Sequence, residues 1–473
     1  MPQIELARTS RVVIIAMLAL ALSLVAAACQ ARPDKAALSP DGLPQRLILA
    51  VDGIPYDLFV ELQAQQHFAG FRPAARMVAP FPSLSDVSFA AIGGSPPPEG
   101  YQVLRFDQKT NRVVGNTLGS LSSRAHANLP ADSSPHSSWH RMIGYLTAYH
   151  MALHDLRKIR KQVLASRQST FVAYLEQSDA VLHVEGRAGA TKLLLQIDLF
   201  LGDLQAQVRA RTGRELLVDI VSDHGSTLLT GRNVDLEKQL RSCGYRRRSR
   251  IDSADQVAYS LAGIIGFVAV NARPERVEDV ARCLAATDGV ELVAVDRAER
   301  VAILSADGGR AELWPTPGAN TAFSYRNLRG DPLGLLAGEV GPVTRSFDQD
   351  LLFRRTLDAP YPDPLRRLWR AFHGAVREPS PILLSLRDGR DAGYRTVRSF
   401  AALRGRAGTH GSLTRRASLG IFTSNWRAVD DVDSWGAHDA LFGPGVAAAV
   451  QSRADGWLSN SGPVSAAQGP VGR

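Results

Sequence analysis

The sequence predicts an α/β fold: a doubly wound, mostly parallel sheet with a smaller α+β cap region inserted into it. Residues 47–53 and 215–229 contain apolar runs that lead into acidic residues and glycine, and helical patterns lie between such runs. This alternation of strand and helix is typical of parallel sheets with helices on both faces. Beyond residue 231 the pattern changes to strands around one short helix, which indicates an insertion.

Length and composition indicate a folded protein with room for more than one unit. The chain has 473 residues, of which 45% are hydrophobic and 21% charged, an ordinary balance for globular proteins. The net charge of +9 is carried mostly by arginine, with a cluster at residues 246–250. Zinc-finger, RNA-binding and basic-zipper patterns do not accompany this charge, so we expect no nucleic-acid partner.

The N-terminus has the layout of an export signal. Arg8 and Arg11 precede an apolar run over residues 12–29 that ends in small residues and Cys29, as in secretory signal peptides. The ending also resembles a bacterial lipoprotein box, in which Cys29 is lipidated and becomes the first mature residue. Residues 1–29 are therefore interpreted as a signal or lipoprotein segment, and an uncleaved membrane anchor is the alternative.

Both interpretations place the body of the protein outside the cytoplasmic membrane, tethered by its N-terminus. Gln30 follows Cys29 directly, where an Asp would favour retention at the inner membrane. We therefore expect an exported, membrane-anchored lipoprotein that faces the periplasm or the cell surface, with the outer membrane favoured. Two further cysteines, Cys243 and Cys283, either pair in an oxidising compartment or stay as buried thiols.

The first core segment is assigned to residues 46–231, after a polar linker at residues 30–45. Its longest helix is predicted because apolar residues recur there every three or four positions. The predicted elements are a strand at 47–53, a strand around Met77, a helix that starts near Ser85, loops at 95–135, the long helix at 138–166, a strand at 171–186, a helix at 192–212, and a strand within 215–229.

The inserted α+β cap region is assigned to residues 232–395. The core resumes at residues 396–440, where residues 419–425 predict a returning strand, and residues 441–473 are assigned to a tail. Apolar runs of strand length in the cap region lie at residues 266–272, 289–295 and 300–306.

Acid, histidine and hydroxyl side chains gather at the predicted ends of core strands and at one helix start. Ligands of open α/β sheets bind beyond the carboxyl ends of the strands, so these side chains are candidates for one site. Zinc takes about four nitrogen or oxygen ligands, and two such ions can clamp the attacking and leaving oxygens of a displacement at phosphorus. The candidates are Asp52, Ser85, Asp179, His183, Asp223, His224 and His410.

These residues, in this order, resemble the alkaline phosphatase superfamily, most closely its type I phosphodiesterase and nucleotide pyrophosphatase branch. The resemblance covers residues 45–230 and 400–426. It implies an alkaline-phosphatase-like fold with Ser85 as the catalytic nucleophile and two divalent metal ions, expected to be zinc. By the same resemblance, one ion is held by Asp52, Ser85, Asp223 and His224, and the other by Asp179, His183 and His410.

The nucleophile loop departs from the family pattern. The family reads roughly T-F-P-N-H there, whereas residues 85–89 of this chain read SDVSF. Ser88 stands where the family's Asn helps to bind the transferring phosphoryl group, so we expect Ser88 to contact the substrate. Asp86 adds a negative charge nearby, and Leu182 replaces the Gly that precedes the family's His. These changes bear on substrate and rate more than on metal binding.

The resemblance implies an exported, membrane-tethered, zinc-dependent hydrolase of small-molecule phosphate esters, of the phosphodiesterase or nucleotide pyrophosphatase type. One alternative is a catalytically degenerate surface lipoprotein that keeps the metal fold as a binding scaffold. Another is a phosphonate hydrolase or phosphomonoesterase of the same superfamily. A sulfatase is disfavoured, because neither Ser83 nor Ser85 is followed by Pro and Arg at the offsets of the C/S-x-P-x-R pattern that formylglycine formation requires.

Overall fold

The computed structural model describes residues 42–115, 128–133, 138–261, 263–319, 321–339, 341–393, 407–446 and 450. The expected signal or lipoprotein segment with Cys29 lies outside the described residues, as do most of the expected linker and tail. Within the described residues, no helix combines the length and the apolar character needed to cross a membrane.

The first part of the described chain alternates strands and helices, as the sequence predicts. Its elements are β1 (Arg46–Val51), α1 (Tyr56–Ala64), β2 (Ala75–Val78), α2 (Ser85–Gly93), β3 (Arg105–Asp107), β4 (Arg112–Val114), α3 (Ser138–Val163), β5 (Thr170–Leu175), α4 (Gln177–Thr212) and β6 (Leu217–Val221). The residues of β1 and β6 are all buried, because a strand covered by helices on both faces has no solvent side.

The inserted region and the return to the core follow. The inserted elements are β7 (Arg232–Asn233), α5 (Leu236–Ser242), β8 (Arg246–Arg247), β9 (Gln256–Tyr259), β10 (Phe267–Ala272), α6 (Val277–Ala285), β11 (Val290–Asp296), β12 (Val301–Ser305), β13 (Arg310–Pro315), β14 (Ala322–Arg329), β15 (Thr344–Asp348), α7 (Gln349–Thr356), α8 (Pro364–Phe372), β16 (Ile382–Leu386) and β17 (Arg390–Asp391). The returning elements are α9 (Arg415–Ser418), β18 (Leu419–Ser424), β19 (Val432–Asp433) and α10 (Ser434–Phe442).

The core sheet has six strands in the order β19-β2-β18-β6-β1-β5. β1 is parallel to β5 and to β6. β18 is antiparallel to its two neighbours, β6 and β2, and β2 is parallel to β19. Only β18 therefore runs against the other strands of this sheet, and the predicted mostly parallel sheet is confirmed.

Helices cover both faces of the core sheet, which confirms the doubly wound arrangement. Successive residues of a strand point to opposite faces. Leu47 and Leu49 pack with α1, α3 and α4 on one face, whereas Ile48 and Ala50 pack with α2 and α10 on the other.

The inserted region forms a second sheet of nine strands, in the order β15-β14-β13-β12-β11-β16-β10-β9-β8. Its neighbours pair antiparallel except β8 and β9. Helices α5 and α6 pack on one face. The other face packs against α8 and also against Phe81 and Leu84 of the core. The inserted sheet thus contacts the loop that leads into α2.

A disulfide joins Cys243 to Cys283. Cys243 is the C-cap residue directly after α5, and Cys283 lies within α6. Of the two states that the sequence leaves open, the structure has the paired one, which ties the two helices on this face of the inserted sheet together.

The strand predicted over residues 171–186 is wrong beyond Leu175, where β5 ends and α4 follows at Gln177. A short apolar run such as residues 180–184 fits a buried helix as well as a strand, so periodicity alone does not separate them. Asp179 and His183 therefore lie one turn apart on a helix and not at the tip of a strand.

Candidate metal centre and nucleophile

The carboxyl ends of β1 and β6 bring the first group of site residues together. The two strands are parallel neighbours, with Ala50 paired to Val221. Asp52 and Asp223 therefore follow at the same edge of the sheet, and the backbone N–H of Gly53 donates to Asp223 Oδ1 at 3.1 Å. The polar residues that follow the last apolar position of each parallel strand thus line a crevice beyond the carboxyl ends of the strands.

Ser85 lies at the first position of α2 and faces these groups. Its hydroxyl donates to Asp52 Oδ1 at 3.1 Å, and its Oγ is 3.2 Å from His224 Nε2. His224 Nε2 is also 3.4 Å from Asp52 Oδ1 and 3.3 Å from Asp223 Oδ2. One hydroxyl and three side chains of the types that can ligate metals thus share a small volume.

The glycine of the Asp-His-Gly sequence is required by close packing. A Cβ atom at Gly225 would lie 2.3 Å from the carbonyl oxygen of Arg416 and 2.6 Å from that of Leu419. The Gly225 N–H donates to the Ala417 carbonyl at 3.1 Å. The turn after β6 is therefore held against α9 and the start of β18, and its two side chains point into the crevice.

The second group consists of Asp179 and His183 on α4 and His410 on the returning segment. His183 Nε2 is 3.1 Å from Asp179 Oδ2, and His410 Nε2 is 3.8 Å from Asp179 Oδ1. A spacing of four residues places the first two side chains on one face of the helix.

A break in α4 lets the returning chain approach. Gly186 has φ 59° and ψ −147° inside the helix, a conformation open essentially to glycine only. The N–H of Ala407 donates to the carbonyl of His183 at 2.9 Å. A Cβ atom at Gly186 would lie 2.6 Å from Cβ of Ala407. The glycine therefore makes room for the segment that carries His410.

The three histidines share one orientation. Each Nδ1 lies against a backbone carbonyl: that of Gly408 for His183 at 2.8 Å, that of Gly225 for His224 at 2.8 Å, and that of Ser83 for His410 at 2.9 Å. A carbonyl only accepts, so Nδ1 carries the proton in these bonds. In the neutral form each Nε2 then carries a free lone pair on the side of the carboxylates, where a cation shared with them could accept it.

The two groups lie side by side. The rings of His224 and His410 are stacked, with centroids 4.0 Å apart. Gly53 has φ 76°, and a Cβ atom there would lie 3.0 Å from Asp179 Oδ1 and 3.4 Å from His224 Cε1. Only a residue without a side chain allows both groups to approach this closely.

Burial and mutual charge shift the pKa values of the first group. Burial raises the pKa of the Asp223 carboxyl well above its usual range, and the neighbouring Asp52 carboxylate raises it further. Burial alone would lower the pKa of His224, but the carboxylates of Asp223 and Asp52 outweigh it and raise that pKa to about 10. Without a cation, Asp223 and His224 therefore hold at least one proton between them near neutral pH.

In the second group the pKa values of the carboxyl and of one histidine are lowered instead of raised. Burial opposes ionisation of Asp179, but the adjacent His183 outweighs it and lowers the pKa of that carboxyl. Burial and the neighbouring His224 lower the pKa of His410 to about 3. The stacked His410 ring is therefore neutral at physiological pH, and its Nε2 is free of a proton.

The donor atoms fit two divalent cations. Within each group, Asp52 with Asp223 and His224 or Asp179 with His183 and His410, the ligand atoms lie within 4.8 Å of one another. Asp179 Oδ1 and Asp223 Oδ2 are buried, and neither has a hydrogen-bond partner in the part of the chain that the structure describes. An unpartnered buried carboxylate oxygen is unfavourable, and a bound cation would supply the missing partner for each.

The structure thus brings all seven predicted side chains to one place, while their chemical roles stay predictions. Ser88 lies one turn after Ser85, is fully buried, and its Oγ has no hydrogen-bond partner among the described residues. Its expected contact with substrate also stays a prediction. The backbone carbonyl of Asp86 accepts from Asn128 Nδ2 at 3.0 Å.

Sequence reasoning missed several residues that support the site. Tyr174, buried in β5, donates its hydroxyl to Asp52 Oδ2 and packs edge-on against Phe89. Ser222 Oγ accepts from the N–H of Ile54 at 2.8 Å and donates to the His224 carbonyl at 3.0 Å. A tyrosine within a strand is typical of a buried core position, so nothing in the sequence indicated that Tyr174 supports the site. Gly186, between Glu185 and Arg187, was a detectable signal, because an isolated glycine next to a helical pattern often has a structural reason.

No protein-family model and no curated protein matches the chain. Solved structures do match. Murine ectonucleotide pyrophosphatase/phosphodiesterase 5, and an inactive variant of it in complex with AMP, each match with a TM-score of 0.45 and 12% identity over 84% of this chain and 94% of that chain. The human protein of the same name has a TM-score of 0.43 and 12% identity over 86% and 95%.

Proposed function

We propose that this protein is a hydrolase of small-molecule phosphate esters that uses Ser85 as its nucleophile and two divalent metal ions, most suitably zinc. The observation that carries the proposal is the position of Ser85 Oγ, within 3.1 Å of Asp52 and 3.2 Å of His224, beside two groups of three metal-ligating side chains. Mixed imidazole and carboxylate ligands suit zinc.

Residues of this chain would provide the nucleophile, the acceptor for its proton and the ligands for the metal ions. Ser85 Oγ would attack phosphorus while the bond from phosphorus to the leaving oxygen of the ester breaks, so that the alcohol part departs and the phosphoryl group is left on Ser85. The Ser85 proton would pass toward Asp52 Oδ1, the acceptor it already faces. Asp52, Asp223 and His224 would hold one ion, and Asp179, His183 and His410 the other. Bound divalent ions would supply Lewis-acid charge that stabilises negative charge on the attacking, leaving and phosphoryl oxygens. Water would then release the phosphoryl group from Ser85.

The start of α2 would contribute to phosphoryl binding. The first N–H groups of a helix have no intrahelical acceptor and carry partial positive charge. Ser85 is the first residue of α2, so a phosphoryl group attached to its Oγ lies beside those donors. This arrangement is a common anion site, and it requires no cationic side chain.

We propose phosphodiesters or nucleotide pyrophosphates as the substrate type, because the order of the seven residues resembles that branch of the alkaline phosphatase superfamily. The test is a panel assay on zinc-loaded and metal-free protein with aryl phosphate diesters and monoesters, phosphonates and sulfates, together with the metal content. Two bound ions and zinc-dependent diester turnover are expected. Preferred turnover of monoesters or phosphonates would support the corresponding alternative. Bound metal without turnover of any ester would support the scaffold alternative, and absence of metal binding would contradict the proposal.

We also propose that the protein is exported and anchored by a lipid on Cys29. The disulfide between Cys243 and Cys283 supports export, because structural disulfides persist in oxidising compartments. The test is membrane fractionation of Cys29→Ala beside the unaltered protein, with outer and inner membranes separated. Release of the variant from the membrane is expected. Full anchoring of Cys29→Ala would favour the uncleaved anchor.

A further inference from the structure

Helix α8 of the inserted region carries an arginine that lies inside the protein. Arg367 is 2% exposed, and among the described residues no carboxylate forms an ion pair with it. The carboxylate of Asp363, one turn earlier, pairs with Arg366 instead. Burying a cation without a paired anion is unfavourable. The hydrogen-bond acceptors around this guanidinium must therefore offset that cost, and their positions indicate what the arginine does.

The guanidinium contacts the backbone of the core. Its Nη1 donates to the carbonyls of Pro362 at 2.9 Å and Leu413 at 3.2 Å. Its Nη2 donates to the carbonyl of Pro80 at 3.3 Å and to Ser418 Oγ at 2.6 Å. Apart from Pro362, these acceptors belong to the core and not to the inserted region.

Two of these acceptors are at the bases of loops that carry site residues. Pro80 precedes the turn into α2 and Ser85, and Leu413 lies three residues after His410. The two loops also bind each other near the site: Ser83 Oγ donates to the Ser412 carbonyl at 2.7 Å, and the Ser83 carbonyl accepts from His410 Nδ1 at 2.9 Å.

The third acceptor connects to the loop after β6. Ser418 is the last residue of α9, and the preceding Ala417 carbonyl accepts from the N–H of Gly225 at 3.1 Å. Gly225 follows His224 directly. Through Ser418, Arg367 is therefore linked to the third loop of the site as well.

We propose that Arg367 is a positioning residue that sets the relative placement of the loops carrying Ser85, His224 and His410, so that the inserted region helps to build the site. Only a guanidinium offers several donors in one rigid plane, which suits acceptors from three separate segments. Its predicted effect on turnover rests on the proposed function, whereas its effect on the loops does not.

The test compares three variants of the full-length chain. Arg367→Met removes the donors and the charge while keeping much of the side-chain volume, and Arg367→Lys keeps the charge without the planar fork. Arg370→Met is the matched control, one turn further along α8, where the guanidinium lies over the ring of Trp435 with 4.1 Å to its centroid. Amide hydrogen exchange at residues 79–85 and 407–413 is measured on metal-free protein, beside kcat and KM on an aryl phosphate diester.

In Arg367→Met we expect exchange in both segments to rise about tenfold or more, while exchange in β1 and β11 is unchanged. We expect kcat to fall about tenfold to a hundredfold with KM within about twofold, because misplaced groups cost turnover more than binding. Arg367→Lys should show smaller changes in the same direction, and Arg370→Met should show neither.

Unchanged exchange in both segments would overturn the proposal, as would an equal rise throughout both sheets, which indicates general destabilisation. If Arg367→Met does not fold, Arg367→Lys decides by the same criteria. If the unaltered protein hydrolyses no ester, the proposed function fails, and the exchange measurement still decides whether Arg367 positions the loops.

Discussion

Ser85 differs from the other side chains of the site because it combines a hydroxyl with the first position of a helix. We expect Ser85→Ala to keep both bound ions, since the six carboxylate and imidazole ligands remain. Ester hydrolysis should fall by about 10³-fold or more, because the nucleophile is lost. Metal analysis and turnover of an aryl diester measure the two effects in one preparation.

Ser95→Ala is the matched control for Ser85→Ala. Ser95 follows the other end of α2 and donates to the Asn128 carbonyl, away from the ligands. Its activity should stay within about twofold of the unaltered protein. Near-full activity of Ser85→Ala, with activity abolished in Ser83→Ala or Ser88→Ala, would show that another serine of this loop is the nucleophile.

We expect Tyr174 to orient Asp52, a candidate metal ligand, through a hydrogen bond. Its hydroxyl donates to Asp52 Oδ2, which leaves Asp52 Oδ1 toward Ser85 and His224. We expect Tyr174→Phe to weaken metal binding at the group of Asp52 about 10- to 100-fold, as is typical when a hydrogen bond to a ligand is removed. Competition with a chromophoric chelator measures the affinity.

Tyr101→Phe separates this effect from a general loss of stability. Tyr101 is also a buried tyrosine, and its hydroxyl donates to the carbonyl of Ala371 at 2.7 Å. Each substitution should lower the free energy of unfolding by about 1 kcal/mol, but only Tyr174→Phe should weaken metal binding. Equal losses of affinity in both variants would contradict an orienting role for Tyr174.

At the scale of a single element, α4 owes its ligand geometry to a break. Gly186→Ala adds a Cβ atom that would lie 2.6 Å from Cβ of Ala407, at φ 59°. We expect the free energy of unfolding to fall by about 1–3 kcal/mol. Metal binding by Asp179, His183 and His410 should weaken as well, because Ala407 leads into His410. Urea denaturation and zinc stoichiometry measure the two effects.

Gly202→Ala on the same helix is the control. Apart from its own helix backbone and chain neighbours, no heavy atom of the described residues lies within 4 Å of a Cβ atom built there, and Gly202 lies within α4. This change should stabilise the protein by about 0.5–1 kcal/mol, since Ala loses less backbone freedom than Gly. If the two variants behaved alike, the break at Gly186 would not be needed for the site.

At the scale of the whole molecule, metal binding should be coupled to stability and to pH. Ions that bind only the folded protein stabilise it, by about 2.7 kcal/mol at a hundredfold excess over the dissociation constant. Chelation should therefore lower Tm, and zinc should restore it. Because Asp223 and His224 hold at least one proton between them in metal-free protein near neutral pH, metal binding must displace at least one proton.

The sign of the pH dependence follows from that displacement. Metal affinity should rise with pH through the neutral range, and the stabilisation by zinc should shrink as the solution is acidified. Thermal unfolding with and without zinc at several pH values measures this, and calorimetry in buffers of different protonation enthalpy counts the released protons. A Tm that responds neither to chelator nor to pH-dependent zinc loading would contradict a metal centre at these residues.

The sequence alone determined the fold class and the candidate residues, because both depend on local order along the chain. Two apolar runs of strand length end in polar residues, one in Asp52 and the other in Asp223, His224 and Gly225. Each run therefore places polar groups at the end of a buried strand, independently of how the rest of the chain folds. The hydroxyl at Ser85 was likewise placed correctly at a helix start. These are properties of neighbouring residues, which the sequence displays directly.

Only the tertiary structure decided which distant groups meet. His410 bonds the Ser83 carbonyl across 327 positions of the chain, Cys243 pairs with Cys283, and Arg367 reaches Pro80. The tertiary structure also decided that residues 177–186 belong to a helix, because a short buried apolar run fits the residue period of a strand as well as that of a helix. Spacing along the chain sets distances within one element, whereas distances between elements are set by packing of the two sheets and their helices, which no local pattern encodes.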